Sequence, residues 1–337
     1  MKSYIAKIKG GNDLTRSEIE EVMKTIMSGE AAREDMASFL LALRAKGPTV
    51  EEITGAAISL RRFSLKVKTK HKVILDTCGT GGDKKGTFNI STIVALVVAA
   101  GGVAVAKHGN RSVSSKCGSA DILEALGVRL DLTEEKLGKC LDEIDIAFLF
   151  AQKLHPAMKH AAPVRKELGV ETIFNLLGPL TNPARATHQM VGVYDRKFVE
   201  SMAHVLKNVG LKKALVVYGS DGLDEITTTG ATFIGEYNGQ NIRFYSINPE
   251  EVNIKRAKAE DLRGGDIHAN VRIVQEILNG KSGPKRDIVL FNAAYAFYIC
   301  EKVKSIDEGI ELSRQLIDSG KARAKLEELK EFTNASK

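Results

Sequence analysis

The chain has 337 residues, 43% hydrophobic and 27% charged, with a formal net charge of +7. That length and balance suit one large core or two smaller ones and exclude a disordered chain. The longest apolar run, Ile93 to Val105, is broken by Gly101 and Gly102, which excludes a membrane-spanning helix.

From Thr15 to Arg62 apolar residues recur at helical spacing, with Ile19, Val22, Met23, Ile26 and Met27 forming one stripe. Thr15 with Glu18 reads as a capping box, Gly29 as a stop, and Thr49 with Glu52 as a second start. The segment is expected to form roughly three helices whose stripes pack on one another, on the rest of the chain, or on a second copy.

From His71 onward, β-branched runs alternate with helical stretches. Lys72 to Asp76, Val103 to Lys107, Ile146 to Phe150, Met190 to Tyr194 and Ala214 to Tyr218 read as buried strands. Thr232 to Tyr237 and Ile242 to Ile247 read as an added hairpin, and Asn270 to Leu278 and Asp287 to Glu331 as mainly helical. The fold class expected is α/β: a small all-helical N-terminal domain plus a large α/β domain with a mainly parallel central sheet flanked by helices.

Ligands of such sheets bind beyond the carboxyl ends of the strands, so the turns there carry the functional signal. After the first strand, Asp76 to Asp83 contains Gly79, Gly81 and Gly82 and leads through Thr87, Phe88 and Asn89 to a helix near Ile90. Backbone N–H groups at the glycines and at the helix start make a phosphate cradle, with Asn89, Ser91 and Thr92 as polar donors or ordinary caps. It matches neither a Walker loop nor a dinucleotide fingerprint. After the second strand, Lys107 to Ser115 is dense in cationic, amide and hydroxyl groups, and Ser119 is placed to cap the next helix. After Tyr218, Asp224 and Glu225 in an extended segment would point to opposite sides. Hard oxygen ligands with no neighbouring His or Cys favour Mg²⁺ over zinc. Arg165 suits a carboxylate acceptor, which it can grip bidentately, although helix arginines and single histidines such as His155 are usually structural.

The four cysteines, Cys78, Cys117, Cys140 and Cys300, form no C-x-x-C pair and read as reduced thiols. The N-terminus shows no leader pattern, so a cytoplasmic location is expected. Basic residues are dispersed and aromatics are 6% with no Trp, so neither membrane nor nucleic acid is the expected partner, and a multiply charged small anion suits the charge.

Taken in order, the Leu14-Thr15 helix, Met27 to Glu30, Gly79 to Asp83, Asn89 to Thr92, Lys107 to Arg111, Asn175 to Pro183 and Asp224-Glu225 resemble the anthranilate phosphoribosyltransferase family over nearly the whole chain. The resemblance implies a nucleoside-phosphorylase-like fold. Residues 1–70, joined by a helical stretch near 165–185, would form the helical domain, and residues 71–164 and 186–337 the α/β domain that binds the donor. It implies transfer of the phosphoribosyl group of 5-phosphoribosyl 1-diphosphate (PRPP) to anthranilate in tryptophan biosynthesis, with two Mg²⁺ ions and a homodimer made through the helical part. By the same resemblance, Gly79, Gly82, Asp83, Thr87, Asn89, Ile90, Ser91, Thr92, Lys107, Ser115 and Ser119 line the donor. Gly79, His108, Asn110, His155 and Arg165 meet anthranilate, and Ser91, Asp224 and Glu225 hold the metal. No general base stands out, and His108 is the fallback. The alternatives are a pyrimidine nucleoside phosphorylase, whose substrate lacks the pyrophosphate and has no use for Asp224-Glu225, and a non-catalytic nucleic-acid binder.

Overall fold

The computed structural model describes residues 1–112 and 117–335. The first helices are Lys2–Lys9, Arg16–Ser28, Arg33–Lys46 and Val50–Phe63. The last three answer the expectation; the Lys2–Lys9 helix lies outside it. Both capping boxes form. Thr15 accepts from Glu18 N, Thr49 accepts from Glu52 N, and Gly29 ends its helix in the left-handed region at φ 82°, each Thr cap contributing about 1 kcal/mol.

Among the described residues seven strands form one sheet: β1 (Ile74–Asp76), β2 (Ala104–Gly109), β3 (Ile146–Phe150), β4 (His188–Gly192), β5 (Lys213–Gly219), β6 (Thr232–Tyr237) and β7 (Ile242–Ile247). Their order is β3-β2-β1-β4-β5-β6-β7. β1 to β5 pair in parallel and β6 and β7 antiparallel, as a hairpin on the edge. The central β1–β4 pair is the point where the strand order changes direction, the place at which a sheet of this kind forms its ligand crevice, beyond the strand ends.

One expected strand is displaced. β4 begins at His188 because Leu75 and Asp76 pair with His188 and Gln189. It stops at Gly192 because Thr80 then takes over its edge: Thr80 N donates to Gly192 O at 2.8 Å, and Tyr194 N donates to Thr80 Oγ1 at 3.2 Å.

Each face of the sheet has its own core. One gathers the Ile90–Ala100 and Pro284–Ile299 helices with Leu75, Val105 and Leu215. The other joins the N-terminal helices to residues 161–180, to the Phe198–Asn208 helix and to Val191, Ala214 and Val216 of the sheet. The N-terminal stripes therefore pack both on one another and on the rest of the chain. Buried Arg61 fastens the two layers, donating to Leu180 O at 2.6 Å and Val209 O at 2.8 Å. No helix among the described residues is long and apolar enough to cross a membrane.

Candidate active site

The crevice is built from the residues that follow β1, β2, β4 and β5. The loop after β1 turns through Gly81 and Gly82, at φ 63° and 85°, a region that glycine enters without strain. Gly81 N then donates to Asp224 Oδ2 at 3.0 Å. β4 contributes a position where only glycine fits, since a Cβ on Gly192 would lie 1.5 Å from Asp224 O. The glycine-rich and acidic stretches, 143 residues apart, are thus in direct contact.

The acidic stretch bends at Asp224 and Glu225 rather than running extended as expected. Both carboxyls consequently meet the donor loop. Asp224 lies beside Asp83, while Glu225 lies beside Ser91 at the start of the Ile90–Ala100 helix. Burial pushes both acids well above the usual carboxylate range, and like charge adds to it: Asp83 acts on Asp224, and Asp224 on Glu225. Lys107, 3% exposed, opposes the shift at Glu225; its Nζ donates to Ser91 Oγ at 3.2 Å and approaches Thr77 O and Oγ1 at 3.4 Å. Three carboxyls and one buried ammonium converge on one spot. Such a group of hard oxygen donors with surplus negative charge fits a divalent cation.

Asn89 and Thr92 flank that helix start. Asn89 Nδ2 donates to Cys117 O at 3.1 Å, but Asn89 Oδ1 and Thr92 Oγ1 are buried with no protein partner among the described residues. Asn89 occupies the cap position without capping, so the ordinary-cap reading does not hold for it. Thr87 pairs as an isolated bridge with Arg263, and Ile90 is buried. Ser115 lies outside the described residues. Ser119 is the first residue of its helix rather than its cap. Gly118 precedes it, Asp121 accepts from Gly118 N at 2.9 Å, and Ser119 Oγ donates to Asn110 O at 3.3 Å.

The opposite side of the crevice starts at β2. His108 is fully buried, its Nε2 lies 3.1 Å from His155 Nε2, and its Nδ1 has no partner among the described residues. Burial lowers His108 to about 3 and His155 to about 4, so both rings are neutral near pH 7. A base that weak accepts a proton poorly at neutral pH, which removes most of the reason to hold His108 as a fallback. Gly178, beside His108, follows the Ile173–Leu177 helix. Phe174 of that helix carries the Arg165 guanidinium 5.1 Å above its ring. Burial pushes Arg165 below its ordinary value, and its side chain has no ion pair or hydrogen bond among the described residues. Asn110 is exposed at the end of β2, with Oδ1 accepting from Arg111 N at 2.8 Å.

One residue to which the sequence assigns no role joins the two sides. Asp76, fully buried at the end of β1, accepts from His108 N at 3.1 Å, Asn182 Nδ2 at 2.8 Å and Gln189 Nε2 at 3.4 Å. Asn182 Nδ2 also reaches Ala106 O at 2.8 Å. This network pins the 173–182 segment to the sheet. Its position at a strand end is the available signal.

A family model described as "Glycosyl transferase family, helical bundle domain" matches residues 2–64, and one described as "Glycosyl transferase family, a/b domain" matches residues 71–323. The chain is 51% identical over 334 residues to an anthranilate phosphoribosyltransferase of Symbiobacterium thermophilum, covering 99% of this chain and 98% of that one. Among solved structures it is similar to an anthranilate phosphoribosyltransferase from Thermus thermophilus, with TM-score 0.93, 43% identity, and 98% and 99% of the two chains covered. A Saccharomyces cerevisiae anthranilate phosphoribosyltransferase in complex with PRPP and Mg matches with TM-score 0.90 and 28% identity over 98% and 97% of the chains.

Proposed function

This chain belongs to the anthranilate phosphoribosyltransferases of the glycosyl transferase family, and from that premise we propose how its own residues carry the reaction. The phosphoribosyl group of PRPP passes to the amine of anthranilate, giving N-(5-phosphoribosyl)anthranilate and pyrophosphate, a step of tryptophan biosynthesis. The observation that carries the assignment of roles is the contact of Gly81 N with Asp224 Oδ2 at 3.0 Å, which brings the anion cradle against the acidic loop.

Gly79, Gly82, Asp83, Thr87, Asn89, Ile90, Ser91, Thr92, Lys107, Ser115 and Ser119 would bind PRPP. Its phosphates suit the glycine N–H groups, the helix start and Lys107. Asp224, Glu225 and Ser91 would hold Mg²⁺, two ions per subunit, and the crowding of Asp83, Asp224 and Glu225 supports that charge demand. Bound Mg²⁺ neutralises charge that builds on the departing pyrophosphate. Arg165 would grip the anthranilate carboxylate, with Gly79, Asn110, His108 and His155 lining the rest. The arylamine is neutral at pH 7 and attacks the ribose carbon with no base required, in keeping with two neutral histidines. Residues 1–70 with 165–185 would act as the helical domain, the remainder as the α/β domain, with the acceptor taken between them. The chain would form a homodimer through the helical part. Cytoplasmic residence suits the free thiols.

The direct test is loss of anthranilate fluorescence on addition of PRPP and Mg²⁺. Activity that persists after chelation of divalent ions refutes the metal roles. Phosphate-dependent cleavage of thymidine without anthranilate consumption refutes the transfer itself.

A further inference from the structure

We propose that Asp221 and Asn292 are positioning residues that clamp the Asp224–Glu225 dipeptide from its two ends, holding both carboxylates ready for a divalent cation. The inference deepens the metal reading given above and rests on it.

Asn292 has 0% exposure in the middle of the Pro284–Ile299 helix, beside buried Phe291, Ala293 and Ala294. Its Oδ1 accepts from Ile226 N at 2.9 Å, and its Nδ2 donates to Ile226 O and Ile288 O, both at 2.8 Å. One amide therefore pairs with both backbone polar groups of the residue that follows Glu225, as a neighbouring strand would. At the other end, the Asp221 carboxylate accepts from Leu223 N at 3.1 Å, from Thr227 Oγ1 at 2.8 Å and from Thr229 Oγ1. The loop is thus cinched onto itself on one side of the dipeptide and tied to the core helix on the other.

The chemistry explains why such ties matter beyond filling hydrogen bonds. Asp83 lies close enough to Asp224, and Asp224 to Glu225, for their like charges to repel when ionised. An unrestrained loop relieves that repulsion by moving the carboxyls apart. It would then have to be drawn back, at a cost in affinity, when a cation binds. Partners that orient metal ligands without touching the metal typically account for about 10- to 100-fold in affinity. Neither residue reaches the reacting atoms; Asn292 acts through the Ile226 backbone, and Asp221 through Leu223 N and the Thr227 and Thr229 hydroxyls.

The test uses the full chain with Mn²⁺ as the probe, its free concentration read by electron paramagnetic resonance. Thermal unfolding and the KM values for Mg²⁺ and anthranilate are measured alongside. Asp221→Asn is nearly isosteric and half-buried. Asn292→Asp keeps shape but sets an oxygen against two backbone carbonyls. Each is expected to weaken Mn²⁺ binding by about 10-fold or more and to raise the KM for Mg²⁺ while leaving that for anthranilate unchanged. Asp224→Ala/Glu225→Ala should abolish the tight Mn²⁺ binding of the wild type. If that double variant binds Mn²⁺ as the wild type does, the metal reading fails and the clamp with it. If it loses binding but folded Asp221→Asn retains wild-type affinity, the clamp alone is overturned. Should Asn292→Asp fail to fold, Asp221→Asn decides.

Discussion

The two sides of the crevice solve opposite electrostatic problems. On the donor side Asp83, Asp224 and Glu225 crowd together with Lys107 as the nearby cation, and burial and mutual repulsion push the last two acids up. On the acceptor side burial pushes Arg165, His108 and His155 down, leaving one guanidinium and two neutral rings. Desolvation is the leading cause on both sides, so neither is arranged for the stability of the empty protein. Each keeps a charge that its own ligand would neutralise: a surplus of negative charge for a cation, and an unpaired positive charge for a carboxylate.

The sharpest way to break the comparison is to remove the donor-side charge. Asp224→Ala/Glu225→Ala is expected to lower kcat by about 100-fold or more at saturating Mg²⁺, because charge developing on the leaving group loses its neutralisation. The same variant should unfold at a higher temperature than the wild type when both are metal-free, since the cost of burying two carboxyls, and their repulsion, has gone. A double variant that loses activity and is also less stable without metal would show that the acids support the fold instead.

Next in size is the acceptor side. Arg165→Ala should raise the anthranilate KM by about 10- to 100-fold, the equivalent of losing a charge-assisted bond of about 1.5–3 kcal/mol. The KM for PRPP should not change. Steady-state kinetics in which both KM values rise together would mean that Arg165 acts on the crevice as a whole and that the two sides are not independent.

Much of this contrast is legible in the sequence, and the exceptions share a cause. Gly81, Lys107, Asp224 and Glu225 stand out because such groups cluster in turns after strands, where local chemistry announces itself. The helix caps at Thr15 and Thr49 are legible for the same local reason. Asp76 and Asn292 are not, because each acts on backbone groups far along the chain: Asn292 on Ile226, and Asp76 on His108, with Asn182 reaching Asp76 from farther on. Gly192 carries a signal of another kind. A lone glycine in an apolar strand marks a close backbone approach, and here that backbone is Asp224 O. The bend at Asp224 is likewise set by contacts with Gly81 and Asp83, so alternation along a strand gives the wrong geometry for the pair.

The smallest effect expected is in stability against pH, and it sharpens the acceptor side. His155 is held at about 4 when folded, against an ordinary value of 6.5. The folded protein therefore binds fewer protons there than the unfolded chain, and stability is lost as the pH falls below 6.5 toward 4. At about pH 5 the loss from this one ring is about 2 kcal/mol. Asp76, pushed up to about 6 by burial, works the other way, binding its proton more readily when folded and so adding stability as the pH falls through the same window. The wild-type curve also carries other shifted groups, among them His108 and His188, each lowered by burial, so the informative quantity is the difference from His155→Gln, which can still hydrogen-bond His108. Denaturant unfolding at pH 7 and pH 5 should show the variant losing about 2 kcal/mol less than the wild type. Equal losses would mean that His155 keeps its ordinary value in the folded protein, mostly neutral at pH 7 and charged at pH 5. The acceptor side would then gain a second positive charge only as the pH falls below 6.5, and only there would Arg165 cease to be its sole anchor for a carboxylate.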